Sequence, residues 1–149
     1  MILKDFQRDA VDNVSMMIRN RLTEHSNNRL APAPQIVFKS PTGSGKTIMA
    51  GEILRTLADY FDDHNYAFVW AAPNKLHEQS RKKISKLLAD TEYTFMDVEA
   101  VPAGALLKNT VLFSNWEKVF RKKGDEWANT AVRRGEDGKN LQDILDATR

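Results

Sequence analysis

Ser40-Pro41-Thr42-Gly43-Ser44-Gly45-Lys46-Thr47 is the stretch that decides the fold of this chain. It follows a short apolar segment, Ile36 to Phe38, and opens a run whose apolar residues Ile48, Met49, Ile53, Leu54 and Leu57 recur at helical spacing. Strand, glycine loop and helix in that order form the layout of a phosphate-binding loop. Glycines at 43 and 45 let the backbone turn tightly and aim several N–H groups into one concavity, and the following helix turns the positive end of its dipole to the same place. An anionic triphosphate fits there. Lys46 reaches its β- and γ-phosphates as a point charge, and the Thr47 hydroxyl is placed to ligate a Mg²⁺ bridging them. The usual pattern, G-x-x-x-x-G-K-[ST], is broken at Ser40, where glycine is expected. A Gly/Ser/Thr turn that merely caps a helix is the competing reading, but it requires neither Lys46 nor Thr47 directly after the last glycine.

Upstream, Phe6, Ala10, Val11, Val14, Ile18 and Leu22 predict an amphipathic helix over 6–22, with Asp5 as its N-cap. His25 to Pro34 reads as a loop and Gln35 to Lys39 as the strand entering the phosphate loop. Downstream, the loop's helix ends near Tyr60, before the polar Asp62-Asp63-His64-Asn65. Tyr66 to Ala72 is a continuous apolar run of strand length, which suits a parallel strand covered on both faces, and Pro73-Asn74 ends it with turn chemistry. A helix follows from about Leu76 to Leu88. Thr91 to Val98 reads as a strand, Glu99 to Lys108 as a loop and Thr110 to Ser114 as a short strand. Asn115 to Lys122 reads as helix and Gly124 to Gly138 as polar, weakly patterned chain. A last helix over 140–147 is carried by Leu141, Ile144 and Leu145. Such alternation implies an α/β layered domain with a mainly parallel sheet.

At 149 residues, 42% hydrophobic and 28% charged, the chain has the size and composition of one globular domain. No apolar run approaches the ~20 residues that cross a bilayer. Lys4, Asp5 and Arg8 stand where a signal peptide would carry its apolar segment, so the expectation is a cytoplasmic protein without a membrane partner. The absence of cysteine excludes disulfides, thiolate metal sites and cysteine catalysis, and His25, His64 and His77 are too scattered to suggest a metal site. A net charge of +2 argues for no polyanion by itself. The basic residues are grouped, however: Lys75, Arg81, Lys82, Lys83 and Lys86, then Arg121-Lys122-Lys123, then Arg133-Arg134. Each group can touch a phosphate backbone or simply oppose a helix dipole and keep the surface wet.

Taken together these residues resemble the first RecA-like domain of a superfamily 2 helicase or translocase, closest to the type III restriction enzyme helicase (Res) subunit group. The serine-containing form of the loop is the variant that group uses. The resemblance implies an α/β fold, a P-loop NTPase (RecA-like) three-layer sandwich with a mainly parallel sheet, here incomplete, with residues 1–149 as the N-terminal part of a helicase-type ATP-binding domain. It places Pro41, Thr42, Gly43, Ser44, Gly45, Lys46 and Thr47 on ATP, with Lys46 and Thr47 as catalytic residues and Thr47 on Mg²⁺. Leu3-Lys4-Asp5-Phe6-Gln7-Arg8-Asp9-Ala10 is similar to the segment in which a glutamine, here Gln7, hydrogen-bonds the adenine edge. An amide offers a donor and an acceptor, the complement of the adenine Hoogsteen edge, and this favours ATP over GTP. Without the phosphate loop, Gln7 reads as a solvated glutamine in a first helical turn.

Ala71-Ala72-Pro73-Asn74-Lys75-Leu76, with Gln79 one turn later, resembles motif Ia of those enzymes, where backbone N–H groups and small polar side chains hold the phosphates of a nucleic-acid strand. Read alone, it is ordinary turn chemistry. Val111-Leu112-Phe113-Ser114-Asn115-Trp116-Glu117-Lys118 is similar to the strand-then-Asn-Trp segment before the family's acidic motif. Asn115 would touch a sugar or phosphate, and Trp116 either stacks on a base or anchors packing. Pro73, Asn74, Lys75, Asn115 and Trp116 are therefore the candidates for DNA contact.

The resemblance stops short of the acidic motif, an apolar strand ending in Asp-Glu whose carboxylates position Mg²⁺ and polarise the attacking water. Asp125-Glu126 follows Arg121-Lys122-Lys123-Gly124 instead of an apolar strand and does not substitute for it. The expectation is a fragment that binds ATP without efficient hydrolysis, from a DNA helicase or translocase (a DNA-dependent ATPase) serving a restriction system and its subunits. A missing strand would leave an open sheet edge. Two other readings stand beside this one. The first is a non-catalytic, degenerate nucleotide-binding or interaction module. The second is a small P-loop kinase, for whose arginine-rich lid Arg133-Arg134 is a poor candidate.

Overall fold

The computed structural model describes residues 2–28, 35–60, 66–74, 76–101, 104–123, 126–129 and 140–148. They fall into two compact units, Met1–Asp62 and Asp63–Arg149.

In the first unit, α1 (Asp5–Asn27) packs on α2 (Lys46–Tyr60). The apolar spacing beyond the loop is realised as α2, whose buried stripe is Met49, Gly51, Ile53, Leu54 and Leu57. The Arg19 guanidinium of α1 lies 3.3 Å from the Tyr60 ring centroid and ties the last turn of α2 to its neighbour. The α1 helix runs longer than its apolar spacing predicts, and its N-cap is Lys4, not Asp5. The Gln7 Oε1 reaches back to accept the Lys4 N–H at 3.0 Å, which satisfies the entry amide from inside the helix. Asp5 lies in the first turn, where its charge suits the dipole.

The expected strand Gln35 to Lys39 is not formed: these residues pair with no strand among the described residues. Strand propensity is local, but a ladder needs a partner for its N–H and C=O groups. Val37 is accordingly 78% exposed.

The second unit is built on a parallel sheet of three strands in the order β1-β3-β2, with β1 Ala67–Ala72, β2 Thr94–Asp97 and β3 Thr110–Asn115. Register runs from Ala67↔Thr110 to Ala72↔Asn115 on one side and from Thr94↔Thr110 to Asp97↔Phe113 on the other. The central strand is buried from Thr110 to Ser114, whereas the edge strand β1 is only half-buried. Adjacent residues of β3 point to opposite faces. Phe113 joins an aromatic row with Trp70 and Phe95, at centroid distances of 6.2 and 6.4 Å. Leu112 enters the core formed with Val98, Val101, Leu106, Leu141 and Ile144. The α3 helix (Leu76–Leu87) packs on β1 and β3 through Ser80 and the fully buried Ile84. The closing helix α4 (Leu141–Ala147) is capped by Asn140, whose Oδ1 accepts the Asp143 N–H at 2.7 Å.

The helix expected over Asn115 to Lys122 is instead a 3-10 turn, Trp116–Lys118, followed by β4 (Phe120–Lys123). This strand pairs antiparallel with β5 (Glu126–Asn129) in register Phe120↔Asn129 to Lys123↔Glu126. Part of the stretch read as weakly patterned is therefore a hairpin strand. Glu126 opens β5, and Asp125 lies outside the described residues, as do Lys75, Arg133 and Arg134. The strand read over Thr91 to Val98 is confined to β2, and a 3-10 turn, Val98–Ala100, begins the expected loop. Among the described residues no helix is long and apolar enough to cross a membrane.

Candidate functional site

Gly43 and Gly45 both adopt left-handed backbone, with φ +81° and +88°, a region that costs other residues roughly 1–2 kcal/mol. The Ser44 N–H donates to the Pro41 carbonyl at 3.3 Å, and the Ile48 and Met49 N–H groups both reach the Gly45 carbonyl at 2.9 Å. The α2 helix thus begins immediately after the second glycine. The first amides of a helix have no acceptor within it, so the Lys46 and Thr47 amides and the helix dipole favour an anion at this end.

The side chains close the loop. The Lys46 Nζ donates to the Ser40 carbonyl at 2.9 Å and to the Pro41 carbonyl at 2.8 Å. The Ser40 and Ser44 hydroxyls are hydrogen-bonded at 2.5 Å. Gln7 comes to the same place from α1, donating its Nε2–H to the Ser44 carbonyl at 2.8 Å. A Cβ at Gly45 would lie 2.6 Å from that nitrogen, whereas one at Gly43 would meet nothing within 4 Å. Of the residues named from the sequence, Gln7 bonds Ser44 and lies against Gly45, and Pro41 accepts from both Ser44 and Lys46, with Thr42 and Gly43 at the exposed turn and Thr47 half-buried in the first turn of α2. Ser40, read as a departure from the usual pattern, is part of the loop's bonding. Its pairing with Ser44, four residues on, was the available signal.

Of the candidates for nucleic-acid contact, Pro73, Asn74, Asn115 and Trp116 lie at the carboxyl ends of β1 and β3, which the register Ala72↔Asn115 places side by side, and Lys75 lies outside the described residues. Pro73 and Asn74 form the turn into α3, with Asn74 at φ +52° and the Leu76 N–H on the Pro73 carbonyl at 2.9 Å. The Asn115 Oδ1 accepts the Glu117 N–H at 3.1 Å and so caps the Trp116–Lys118 turn, leaving Trp116 40% exposed.

Beside Asn115 a cleft of about 630 Å³ is lined by His77, Arg81 and Lys82 of α3 and by Asp97, Ser114 and Asn115. Open α/β sheets bind ligands outside the carboxyl ends of their strands. Arg81 forms an ion pair with Asp97 here and donates to the Phe95 carbonyl at 3.4 Å. It is thereby paired, contrary to what its grouping in the sequence suggests, while Lys82, Lys83 and Lys86 are exposed. The cleft was not legible in the sequence, because its walls come together only when β2 and α3 pack on β3.

Left-handed glycines before a helix, a lysine closing their loop, and helices accompanying a small parallel sheet define an incomplete α/β fold of the RecA-like P-loop class. The family described as type III restriction enzyme, res subunit, matches residues 1–145, and the chain belongs to that family. It is thus a helicase-like module of the restriction-system type, and domains of this family generally use ATP and Mg²⁺. No curated protein and no solved structure matched the chain.

Proposed function

We propose that residues 1–149 are the N-terminal part of a helicase-type ATP-binding domain, the nucleotide-holding portion of a cytoplasmic DNA helicase or translocase that works in a restriction system. The observation that carries this reading is the loop itself: two left-handed glycines, a helix starting at Lys46, and Gln7 lodged against the loop backbone. The residues fit a triphosphate. Pro41, Thr42, Gly43, Ser44 and Gly45 supply the cradle, Lys46 a positive charge, Thr47 a hydroxyl for Mg²⁺, and Gln7 an amide for adenine. Bound Mg²⁺ supplies neutralisation of the β- and γ-phosphate charge. Pro73, Asn74, Lys75, Asn115 and Trp116 are assigned to one DNA strand, with the exposed cations of α3 nearby as phosphate partners.

Within these residues no apolar strand ends in Asp-Glu, and those carboxylates are what polarise the attacking water in such motors. Nucleotide binding without efficient turnover is therefore assigned to residues 1–149 taken alone. Titration with a fluorescent ATP analogue tests it. Lys46→Ala should weaken binding by about tenfold or more, the worth of a charge-assisted hydrogen bond, and equal affinity overturns the proposal. ADP formation should stay near background with or without DNA. Phosphoryl transfer to a small acceptor with no DNA effect would point to a kinase instead.

A further inference from the structure

We propose that the cleft between α3 and the carboxyl ends of β2 and β3 is a pocket for one unstacked nucleobase, and that it prefers a base bearing an exocyclic amine to thymine. This inference rests on the assignment of a DNA strand to Pro73, Asn74, Asn115 and Trp116, and adds what that strand presents to the protein beside its phosphates.

Topology makes the cleft. The chain leaving β1 crosses to β2 through α3, and β3 returns between them. Asp97 stands opposite Phe113 in the ladder, and side chains two residues apart share a face, so Asp97, Phe113 and Asn115 lie on one face of the sheet. The Arg81–Asp97 ion pair identifies it as the face that α3 covers. On α3, His77, Arg81 and Ser85 recur at four-residue intervals and form one half-buried stripe. The two sets of residues line about 630 Å³, within the roughly 300–1,000 Å³ of small-molecule sites.

The chemistry of the lining selects the occupant. Inside, the charges of Arg81 and Asp97 cancel, and at the exposed rim Glu78 and Glu99 outnumber Lys82. A phosphate is therefore not the group that enters. A purely apolar group does not suit the cleft either, because the His77 Nδ1 is buried without a hydrogen-bond partner among the described residues, and a ligand that supplies one removes that cost. The donor set does not suit a metal ion: no group of three or more His, Asp or Glu side chains placed to hold one occurs among the described residues. A neutral, planar, hydrogen-bonding group fits. Phe113 gives it an apolar floor, the Asp97 carboxylate has lone pairs beyond the one that Arg81 takes, and the Asn115 Nδ2 is a donor. A carboxylate accepts from the cytosine amine, whereas thymine offers no exocyclic amine. Asn115 belongs both to the strand's contacts and to the cleft, so the base of the nucleotide held there is the one that enters. Unstacking costs least in a single strand, which is the form the pocket takes.

Fluorescence anisotropy of the whole chain with labelled oligo-dC and oligo-dT of equal length tests the pocket. The two share a backbone, so their affinity ratio cancels the sequence-independent phosphate contribution and reads the base. The wild type should favour oligo-dC about fivefold or more, the discrimination of one good base contact. Asp97→Asn, which puts an amide where only acceptors stood, should bring the ratio to about one, whatever the lost charge does to both affinities. Lys82→Ala should weaken both oligonucleotides and leave the ratio intact. Should Asp97→Asn fail to fold, His77→Ala decides by the same fall in ratio. A ratio that survives both substitutions overturns the pocket, as does a wild type that distinguishes neither the oligonucleotides nor cytidine from thymidine. A free nucleoside carries the same base chemistry, and a preference confined to cytidine over thymidine overturns the strand as its source. Failure of both oligonucleotides to bind overturns the DNA assignment itself, a result distinct from all of these.

Discussion

Gln7 stands directly over Gly45, its amide nitrogen 2.6 Å from where a Cβ would be, while the neighbouring Gly43 has open space on that side. Both glycines have positive φ, so Gly43→Ala and Gly45→Ala should each lose the left-handed cost of roughly 1–2 kcal/mol. Only Gly45→Ala also displaces Gln7, and with it the acceptor of the Lys4 N–H at the start of α1. Urea unfolding should show the larger loss for Gly45→Ala, and equal losses would show that Gln7 yields without penalty.

Asn140 caps α4 with both ends of its amide: Oδ1 accepts the Asp143 N–H and Nδ2 donates to the Asp143 carboxylate, each at 2.7 Å. Replacement by alanine should cost about 1 kcal/mol or more, since at 6% exposure little water can take over the orphaned amide. Asn140→Ser keeps the capping acceptor and should recover most of the loss. Chemical denaturation of the three proteins checks the ranking, and a serine variant as unstable as the alanine one would remove the cap from the account.

Leu112 is fully buried at the centre of the core, and Leu107 is 67% exposed a few residues earlier. Truncating Leu112 to alanine should therefore cost about 2–5 kcal/mol, against less than about 0.5 kcal/mol for the same change at Leu107. Comparable losses in thermal or urea unfolding would mean that the packing of Leu112 against Val101 and Ile144 does not support the fold.

What could be read in advance divides along the range of the interactions. The phosphate loop was legible because its chemistry is contained in consecutive residues, and β1 and β3 because each is a short apolar run, although only β3 is buried and β1 is a half-buried edge. Gln35 to Lys39 carries the same local signal, yet it pairs with no strand among the described residues, because pairing depends on chain far away in sequence. That β3 lies between β1 and β2 is likewise a matter of long-range pairing. Most of β4 was read as the end of a helix because Trp116, Val119 and Phe120 match one helical turn, and β5 as weakly patterned chain. Gly124 between two short strands was the better cue. At the site, Lys46 and Thr47 announce themselves, but the Gln7–Ser44 bond joins residues 37 apart and Arg81–Asp97 residues 16 apart. Neither tie leaves a mark in local spacing.

The Arg81–Asp97 pair invites a measurement, because it joins α3 to β2 at the cleft. Its side chains are 39% and 38% exposed, so water screens the attraction and the pair ranks with surface ion pairs, worth about 0.2–1 kcal/mol. A double-mutant cycle with Arg81→Ala and Asp97→Ala should return a coupling in that range. The coupling should shrink as the Debye length falls from about 10 Å at 0.1 M salt to about 3 Å at 1 M. Asp97→Ala alone also removes one of the three carboxylates at the cleft beside Asn115, Glu78 and Glu99 being the others, so it should modestly raise the affinity of the cleft for a phosphate-bearing polymer at low salt, with a steeper salt dependence than the wild type. A coupling of zero at low salt, with no change in that salt slope, would show that the pair neither ties α3 to β2 nor sets the charge of the cleft.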